Sequence, residues 1–371
     1  MESTSSGSTH KDIVKAHLNY LLDFPGGELS QVDSQSAKTN KPLFILDKLL
    51  NKKFRRAPVH LETKKDIEAK VNMSVKANEP IYLIICFGGY KHFWNASHPK
   101  IDFAELFNLH FMSEYVAPIL KVHEPGVVLD YESEDVIIPA IDNYPKKSLD
   151  EYSASFRALL SAYQERCNLP PNFKINLVRP QELEYYKKQD YETRLFKRIE
   201  ERRANKIKTW EALSDREQQE RLHRTPRSIM WKGEKDLSGL NDKEKEKWIV
   251  RSKIDNEIYY DADFEFRGEY LTGGNHIPLV LSWGLCEENS GHWLTIASTK
   301  ASTVDFWIGR GILDIYNGKV LDRVISQRQY KKIKPNLKVC DGFEWADAST
   351  LENLKTIEVL EDNNFTKLIT P

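Results

Sequence analysis

The residue types best suited to chemistry follow the most apolar strand-like run of the chain, Ile81–Phe87. A glycine pair lets a backbone approach a ligand closely. A lysine placed beyond it can bind a phosphate as a point charge or, as a neutral amine, form a Schiff base with a carbonyl. The alternative is a plain turn with the lysine in solvent, and the residues leave both interpretations open. The candidate site residues of this loop are Gly88, Gly89, Lys91, Trp94 and Asn95.

A second group of reactive residues is the acidic run "DYESEDV", which follows another strand-like segment. Four carboxylates in this run repel one another, so one of them can have a raised pKa and act as an acid or a base. Strand alternation would place Glu132 and Glu134 on the same face of a sheet. An acidic turn that caps a helix would explain the run equally well.

The third group lies in the C-terminal segments "TGGNHIP", "SGHWLT" and "STVDFWIGRG", which contain His276, Trp293 and Arg310. Arg310 stands between two glycines and could bind a phosphate or a carboxylate through two parallel hydrogen bonds. Bulges at the glycines and core packing of the tryptophans are the structural alternatives. No GxSxG elbow supports a serine hydrolase. The histidines match no common metal-ligand spacing, so neither a metal nor another cofactor is predicted.

The elements between these groups predict an α/β fold. Strand-like and helical segments alternate from residue 81 to residue 178, as in a sheet built by right-handed crossovers. Asp102 with Glu105, and Ser148 with Glu151, have the capping-box spacing that begins a helix. The predicted architecture is therefore a Rossmann-like, mostly parallel sheet with flanking helices. Ligands of such sheets bind beyond the carboxyl ends of the strands, which is where the first two groups fall.

Composition divides the chain into four parts. Residues 1–11 are predicted to be a disordered lead, and residues 12–180 the α/β domain, with a polar loop at 29–42. Residues 181–260 are dense in both charge signs, which predicts a charged helical insertion or cap. Residues 261–371 return to strand-like alternation and are predicted to complete the same domain with antiparallel strands, which either join the earlier sheet or form a small β subdomain. A type I′ hairpin is predicted at Asn317–Gly318.

Charge and hydropathy exclude several classes of protein. The 371 residues carry 54 basic and 55 acidic side chains, a formal net charge of -1, so no global field attracts nucleic acid or a membrane surface. The longest apolar run is far shorter than the roughly 20 residues that span a bilayer. Four cysteines without a CxxC pair, and an N-terminus without signal-peptide features, predict reduced thiols and a cytoplasmic location.

Together these segments resemble the isonitrile (isocyanide) synthases of the pyoverdine/dityrosine biosynthesis family. The loop "FGGYKHFWNASHPKIDFAELF" has the lysine, the asparagine and the Asp…Glu helix start of that family, and "HEPGVVLDY" has its Pro-Gly turn. The family's Thr-Pro-Trp-His segment is not reproduced, and Ile277 separates the members of its His-Pro pair. The matching residues are Lys91, Asn95, Asp102, Glu105, Ser133, Glu134 and His276.

The resemblance implies an activity. Members join the α-amine of an aromatic amino acid to a carbon donated by ribulose 5-phosphate, which yields an isonitrile. Lys91 would then bind the sugar phosphate or its carbonyl, with Arg310 as a second clamp, and Glu134 and His276 would transfer protons. The residues expected to pack against the aromatic side chain are Trp94 and Trp293.

The resemblance also implies partners. The substrates would be small molecules, an amino acid and a sugar phosphate, and the next enzyme of the pathway would be an iron/2-oxoglutarate oxygenase. Two other hypotheses stay open: a different phosphosugar or nucleotide-sugar transferase, and a non-catalytic interaction protein whose partner surface is residues 181–260. Convergence of Lys91, Glu134, His276 and Arg310 on one cleft would favour an enzyme, and their dispersal would favour the interaction protein.

Overall fold

The computed structural model describes residues 10–55, 57–93, 96–97, 99–183, 187, 190–224, 229–267, 275–281, 294–302, 304–316 and 319–333. The helices are α1 (His10–Leu21), α2 (Gln31–Thr39), α3 (Lys41–Leu49), α4 (Leu61–Ala77), α5 (Phe103–Leu120), α6 (Ile138–Ile141), α7 (Lys146–Arg166), α8 (Tyr191–Glu211), α9 (Asp215–Arg224), α10 (Asp242–Arg267) and α11 (Gln327–Ile333). The strands are β1 (Ile81–Phe87), β2 (Val127–Ser133), β3 (Phe173–Val178), β4 (Ile277–Val280), β5 (Leu294–Thr295), β6 (Arg310–Tyr316) and β7 (Lys319–Ile325).

A five-stranded parallel sheet organises the molecule. The strand order is β3-β2-β1-β4-β5, and every neighbouring pair is parallel. Phe87 at the end of β1 pairs with Ser133 at the end of β2, so the carboxyl ends of these strands share one edge. The predicted α/β architecture, a mostly parallel sheet with flanking helices, is confirmed.

The two faces of the sheet have different surroundings. Side chains alternate along a strand, so Leu83, Ile85 and Phe87 point to one face, where they belong to the main hydrophobic core. Helix α5 contributes to that core on nearly every side and is therefore apolar all round, as a fully buried helix must be. Tyr82 and Cys86 point to the opposite face and are only half-buried.

The two predicted capping boxes have different outcomes. The capping box at the start of α5 is confirmed, because Asp102 accepts from the backbone of Ala104 while Glu105 accepts from the backbone of Asp102. The second capping box is wrong, since α7 already begins at Lys146. Ser148 is instead buried, with its hydroxyl 2.8 Å from Nδ1 of His92.

The predicted polar loop at residues 29–42 is also wrong. It forms α2 and the first turn of α3, which caps hold in place. The Ser30 side chain accepts from the backbone of Asp33, and the Asn40 side chain accepts from that of Leu43. Ala37 is the one residue of α2 that is buried, so the segment lacks the apolar stripe from which a helix is usually recognised.

The C-terminal strands divide between two sheets. β4 and β5 extend the main sheet in the parallel direction, which corrects the expectation that they are antiparallel. The antiparallel expectation holds for β6 and β7, which form a separate two-stranded sheet. The turn expected at Asn317–Gly318 lies outside the described residues, as do residues 1–9 of the predicted disordered lead.

The charged middle of the chain contains α8, α9 and α10, which build a second, smaller core. Leu195 and Ile199 of α8 pack with Ile254 and Ile258 of α10 and with Ile141, which follows β2. These helices therefore lie against the carboxyl edge of the sheet. The division of the chain into four parts stays a prediction. Among the described helices, none combines the length and apolar character needed to cross a membrane.

Candidate functional site

The turn after β1 is built around two glycines that pack against the chain's own aromatic rings. A Cβ on Gly88 would lie 2.5 Å from the ring of Tyr90, and one on Gly89 would lie 2.6 Å from the ring of Tyr152. Neither glycine has a positive φ. The space that the missing Cβ atoms leave open is therefore occupied by side chains of the protein itself, and is not room for a ligand. Substrate binding by Gly88 and Gly89 stays a prediction.

Lys91 is buried inside the protein, which contradicts the alternative that it lies in solvent. Its side chain is 2% exposed, and Nζ lies 2.6 Å from the carbonyl oxygen of Gly309, 3.1 Å from Oδ2 of Asp102 and 3.2 Å from Oε1 of Glu105. These three acceptors match the three donors of an ammonium group. In this conformation no donor of Lys91 is left for a phosphate.

Two further groups complete this buried cluster. The hydroxyl of Tyr152 donates to Oε1 of Glu105 across 3.0 Å, and the backbone N–H of Gly311 donates to Oδ1 of Asp102 across 3.1 Å. We refer to Lys91, Asp102, Glu105 and Tyr152 as the lysine cluster. It joins the loop after β1, the start of α5, α7 and the start of β6.

The lysine cluster positions Arg310. The residues on either side of Arg310, Gly309 and Gly311, each contact the cluster through the backbone. A Cβ on Gly309 would lie 2.4 Å from Val324, and a Cβ on Gly311 would lie 2.3 Å from the backbone nitrogen of Ala104. The glycines of "GRG" therefore let β6 lie directly on the first turn of α5. Arg310 itself is half-buried at this junction.

The charge of the cluster is unbalanced, because one lysine faces two carboxylates. Complete burial raises the pKa of Glu105 from 4.5 to about 8, although Lys91 opposes that shift. With Glu105 protonated, the remaining pair of Lys91 and Asp102 is neutral. Burial likewise raises the pKa of Tyr152 well above its usual range, and Glu105 adds to the effect. Tyr152 is therefore a neutral hydrogen-bond donor in this cluster.

This protonation gives a pH dependence of stability. The folded state holds the Glu105 proton at pH values where the unfolded chain has lost it, so the free energy of unfolding should fall between about pH 5 and pH 8. Glu105→Gln removes this contribution. Urea denaturation at pH 5.5 and pH 8 should show wild type losing on the order of 2–3 kcal/mol relative to the variant. An equal change in both proteins would contradict the assignment.

The four carboxylates of the acidic run do not form one group. Asp135 is buried and binds Nε of Arg179 at 2.5 Å, and burial raises its pKa against the opposing effect of that guanidinium. Glu132 is fully buried, with Oε2 3.8 Å from Sγ of Cys86. The backbone N–H of Glu134 donates to the carbonyl of Phe87, which places Glu134 beside the turn after β1.

His276 lies elsewhere. It precedes Ile277, which pairs with Leu83, so it stands level with Tyr82 in the first half of β1. Phe87 is five residues further along, about 16 Å at the rise of a strand. The rings of His276 and Tyr82 are 5.2 Å apart, which puts the histidine on the face opposite the main core. The structure thus brings the Arg310 segment and Glu134 to the edge that carries Lys91, but not His276.

A pocket of about 460 Å³ opens at the same edge of the sheet, between the segment after β2 and helices α8 and α10. Its lining combines both charge signs with aromatic and aliphatic side chains. Representative lining residues are Asp135, Ile141, Phe196, Ile199, Trp248 and Arg251. The pocket can therefore accept a ligand with charged and apolar parts.

The fold is shared with a known protein. No protein-family model matches the sequence, and no curated protein matches it either. Among solved structures, the crystal structure of the PvcA protein from Pseudomonas aeruginosa superposes with a TM-score of 0.56. The match covers 81% of this chain and 96% of PvcA at 13% sequence identity. The chain has the fold of PvcA.

Some predicted site residues fall outside the described part of the chain. These are Trp94, Asn95 and Trp293. Sequence reasoning also missed two residues that the structure brings forward. Tyr152 gave no signal beyond its helical position. Asn176, whose side-chain amide donates to Oδ1 of Asp130 across 2.8 Å, gave none beyond its place in a strand. Their hydrogen-bond partners could be found from the sequence, because Glu105 belongs to the predicted capping box and Asp130 to the acidic run.

Proposed function

We propose that the protein is a biosynthetic enzyme that converts the α-amine of an aromatic amino acid to an isonitrile, with a pentulose phosphate as the carbon donor. The lysine cluster is the observation that carries the proposal. Lys91, Asp102 and Glu105 belong to the short motif that resembles the isonitrile synthases, and Nζ of Lys91 lies within 3.2 Å of both carboxyl groups. The fold shared with PvcA agrees with the α/β fold that the resemblance implies.

The geometry favours a positioning role for Lys91 rather than the catalytic role inferred from the resemblance. Its ammonium holds the loop after β1, the start of α5 and the start of β6 together, and its donors are all engaged. Arg310, which this arrangement presents, is the proposed clamp for the sugar phosphate, because its fork can bind a phosphate bidentately. Glu134, beside the turn after β1, is the proposed proton-transfer group; His276, expected to share this role, lies level with Tyr82, away from this edge of the sheet.

The pocket beside the acidic run supports the binding of an amino acid. The carboxylates, the cationic side chains and the aromatic side chains of its lining suit an ammonium, a carboxylate and an aromatic side chain respectively. The proposal needs no cofactor. A downstream iron/2-oxoglutarate oxygenase remains a prediction from the resemblance.

The proposal is tested by incubating the purified full chain with tyrosine or tryptophan and ribulose 5-phosphate. The expected product, detected by mass spectrometry, has one carbon in place of two amine hydrogens. Omission of either substrate should abolish it. A product that forms from the phosphosugar without any amino acid would instead indicate the alternative transferase. If neither substrate is consumed, the enzyme hypothesis fails and the interaction protein is favoured.

A further inference from the structure

Asp135, which lines the pocket at the carboxyl edge of the sheet, has one carboxylate oxygen without a partner. Its side chain is 2% exposed, and Oδ2 accepts from Nε of Arg179 at 2.5 Å. Oδ1 is buried and has no hydrogen-bond partner among the described residues. Burial raises the pKa of Asp135, and although the side chains of Ser133 and Gln181 lie close enough to oppose that shift, neither makes a hydrogen bond to Oδ1.

Gln181 brings a second acceptor of the same kind to this pocket. It follows β3, lines the pocket, and lies near Asp135. Its Oε1 is buried and, like Oδ1 of Asp135, has no partner within the described part of the chain. Native proteins rarely leave buried acceptors unsatisfied, so two of them in one pocket call for a donor. An ammonium group offers three donors and no acceptor.

The carboxylates around Arg179 outnumber the guanidinium groups that bind them. Besides Asp135, Arg179 binds Asp150 at 2.6 Å and Glu182 at 3.5 Å. Arg157 offsets the charge of Glu182 at 2.7 Å. Two guanidinium groups therefore serve three carboxylates, and one negative charge lacks a countercharge within this group. A cation beside Asp135 would supply it, because buried charges are stable only when they are paired.

The helical side of the pocket has a cation with donors to spare. Asp255 of α10 accepts on both oxygens from Arg203, at 2.7 and 2.9 Å. Arg251 lies 3.5 Å from Asp255 and 5.6 Å from the ring of Trp248, and its side chain is 52% exposed. A guanidinium has five donors, so most of those of Arg251 remain for a carboxylate. Trp248 and Phe196 add aromatic surface to the same lining.

We infer that Asp135 and Gln181 bind the α-ammonium group of an aromatic amino acid, while Arg251 binds its α-carboxylate. This inference rests on the proposed function, and it names the residues that recognise the amino-acid substrate. Glu134, the proposed proton-transfer group, directly precedes Asp135 in the chain and adjoins the turn after β1. The amine is therefore held at the strand end that carries this group.

The test is isothermal titration calorimetry of the full chain with tyrosine and two analogues. 3-(4-hydroxyphenyl)propionate lacks the ammonium group, and tyramine lacks the carboxylate. Asp135→Asn should weaken tyrosine binding by about 10–100-fold, the range for a hydrogen bond to a charged group, and leave the affinity for 3-(4-hydroxyphenyl)propionate within about 2-fold. Gln181→Met should weaken tyrosine by about 3-fold or more with the same selectivity. Arg251→Met should weaken tyrosine by about 10-fold and leave tyramine unchanged.

Asp150→Asn is the matched control. Asp150 binds the same guanidinium as Asp135, but it is not part of the pocket lining that the structure describes. The control should therefore leave tyrosine affinity unchanged. Circular dichroism shows whether each variant is folded, and the Gln181 and Arg251 variants carry the test should Asp135→Asn unfold.

The outcomes separate the inference from the proposed function. Equal weakening of tyrosine and 3-(4-hydroxyphenyl)propionate by Asp135→Asn, or equal weakening of tyrosine by Asp135→Asn and Asp150→Asn, would overturn the inference. So would a wild type that binds neither tyrosine nor tryptophan, or that binds the analogue without the ammonium group as tightly as tyrosine. Tyrosine binding that depends on Asp135, without isonitrile formation, would overturn the proposed function and leave the inference standing. Isonitrile formation by Asp135→Asn with an unchanged KM for tyrosine would do the reverse.

Discussion

Lys91→Met is expected to lower the free energy of unfolding by about 3–5 kcal/mol, because it leaves the mostly buried Asp102 without its cation. Lys91 is 2% exposed and Glu105 is fully buried, so water cannot replace the lost contacts of the ammonium with Asp102 and Glu105. The backbone carbonyl of Gly309 would also lose its donor. Chemical denaturation measures the effect. Lys147→Ala, at an exposed ion pair with Glu151, is the control and should give no measurable change.

A second substitution separates the charge effect from the loss of packing. Glu105→Gln in the Lys91→Met background replaces a carboxyl that must hold a proton to stay buried with a neutral amide of the same shape. Part of the lost stability should then return, so the two changes should not be additive. If Lys91→Met costs less than about 1 kcal/mol, the ammonium is not the central contact of the cluster.

Gly311→Ala is expected to destabilise the protein by about 3 kcal/mol, at the upper end for overpacking. The added Cβ would lie 2.3 Å from the backbone nitrogen of Ala104 and 2.6 Å from the carbonyl carbon of Phe103. These are backbone atoms at the start of a buried helix, so they cannot move aside as a flexible side chain would. The bond from Gly311 to Asp102 would be strained at the same time.

Gly239→Ala provides the control for this change. Nothing lies within 4 Å of a Cβ at that position, and its φ is not positive. Alanine there should leave stability unchanged or raise it slightly, since it restricts the unfolded chain. Thermal denaturation of both variants gives the comparison. Similar melting temperatures for Gly311→Ala and wild type would mean that β6 does not lie on the first turn of α5.

The bounds of an element could be predicted where neighbouring residues in the sequence determine them. β1 has the bounds of its apolar run, and the capping box at Asp102 marks the start of α5, because both depend on neighbouring residues. The direction of β4 and β5 could not be predicted in this way. Whether a strand is parallel or antiparallel depends on how the chain returns to the sheet, and the side-chain pattern of a short strand is the same in both cases.

The site was predictable in part for the same reason. The sequence places Lys91 just after β1 and Glu134 just after β2. In a parallel sheet these strand ends share one edge, and both residues lie there. The burial of Lys91 depends on Gly309, 218 residues further along, so no local pattern contains it. The contact between His276 and Asp130 is likewise long-range. A pattern of charged residues shows which side chains are available and leaves their partners undetermined.

The origin of the isonitrile carbon is the most direct test of the proposed reaction. The full chain would be given ¹⁵N-labelled tyrosine and uniformly ¹³C-labelled ribulose 5-phosphate, and the product would be analysed by mass spectrometry. We predict an isonitrile that keeps the labelled nitrogen and contains a single labelled carbon. A product without labelled carbon, or no product under conditions in which the protein is folded, would contradict the proposed function.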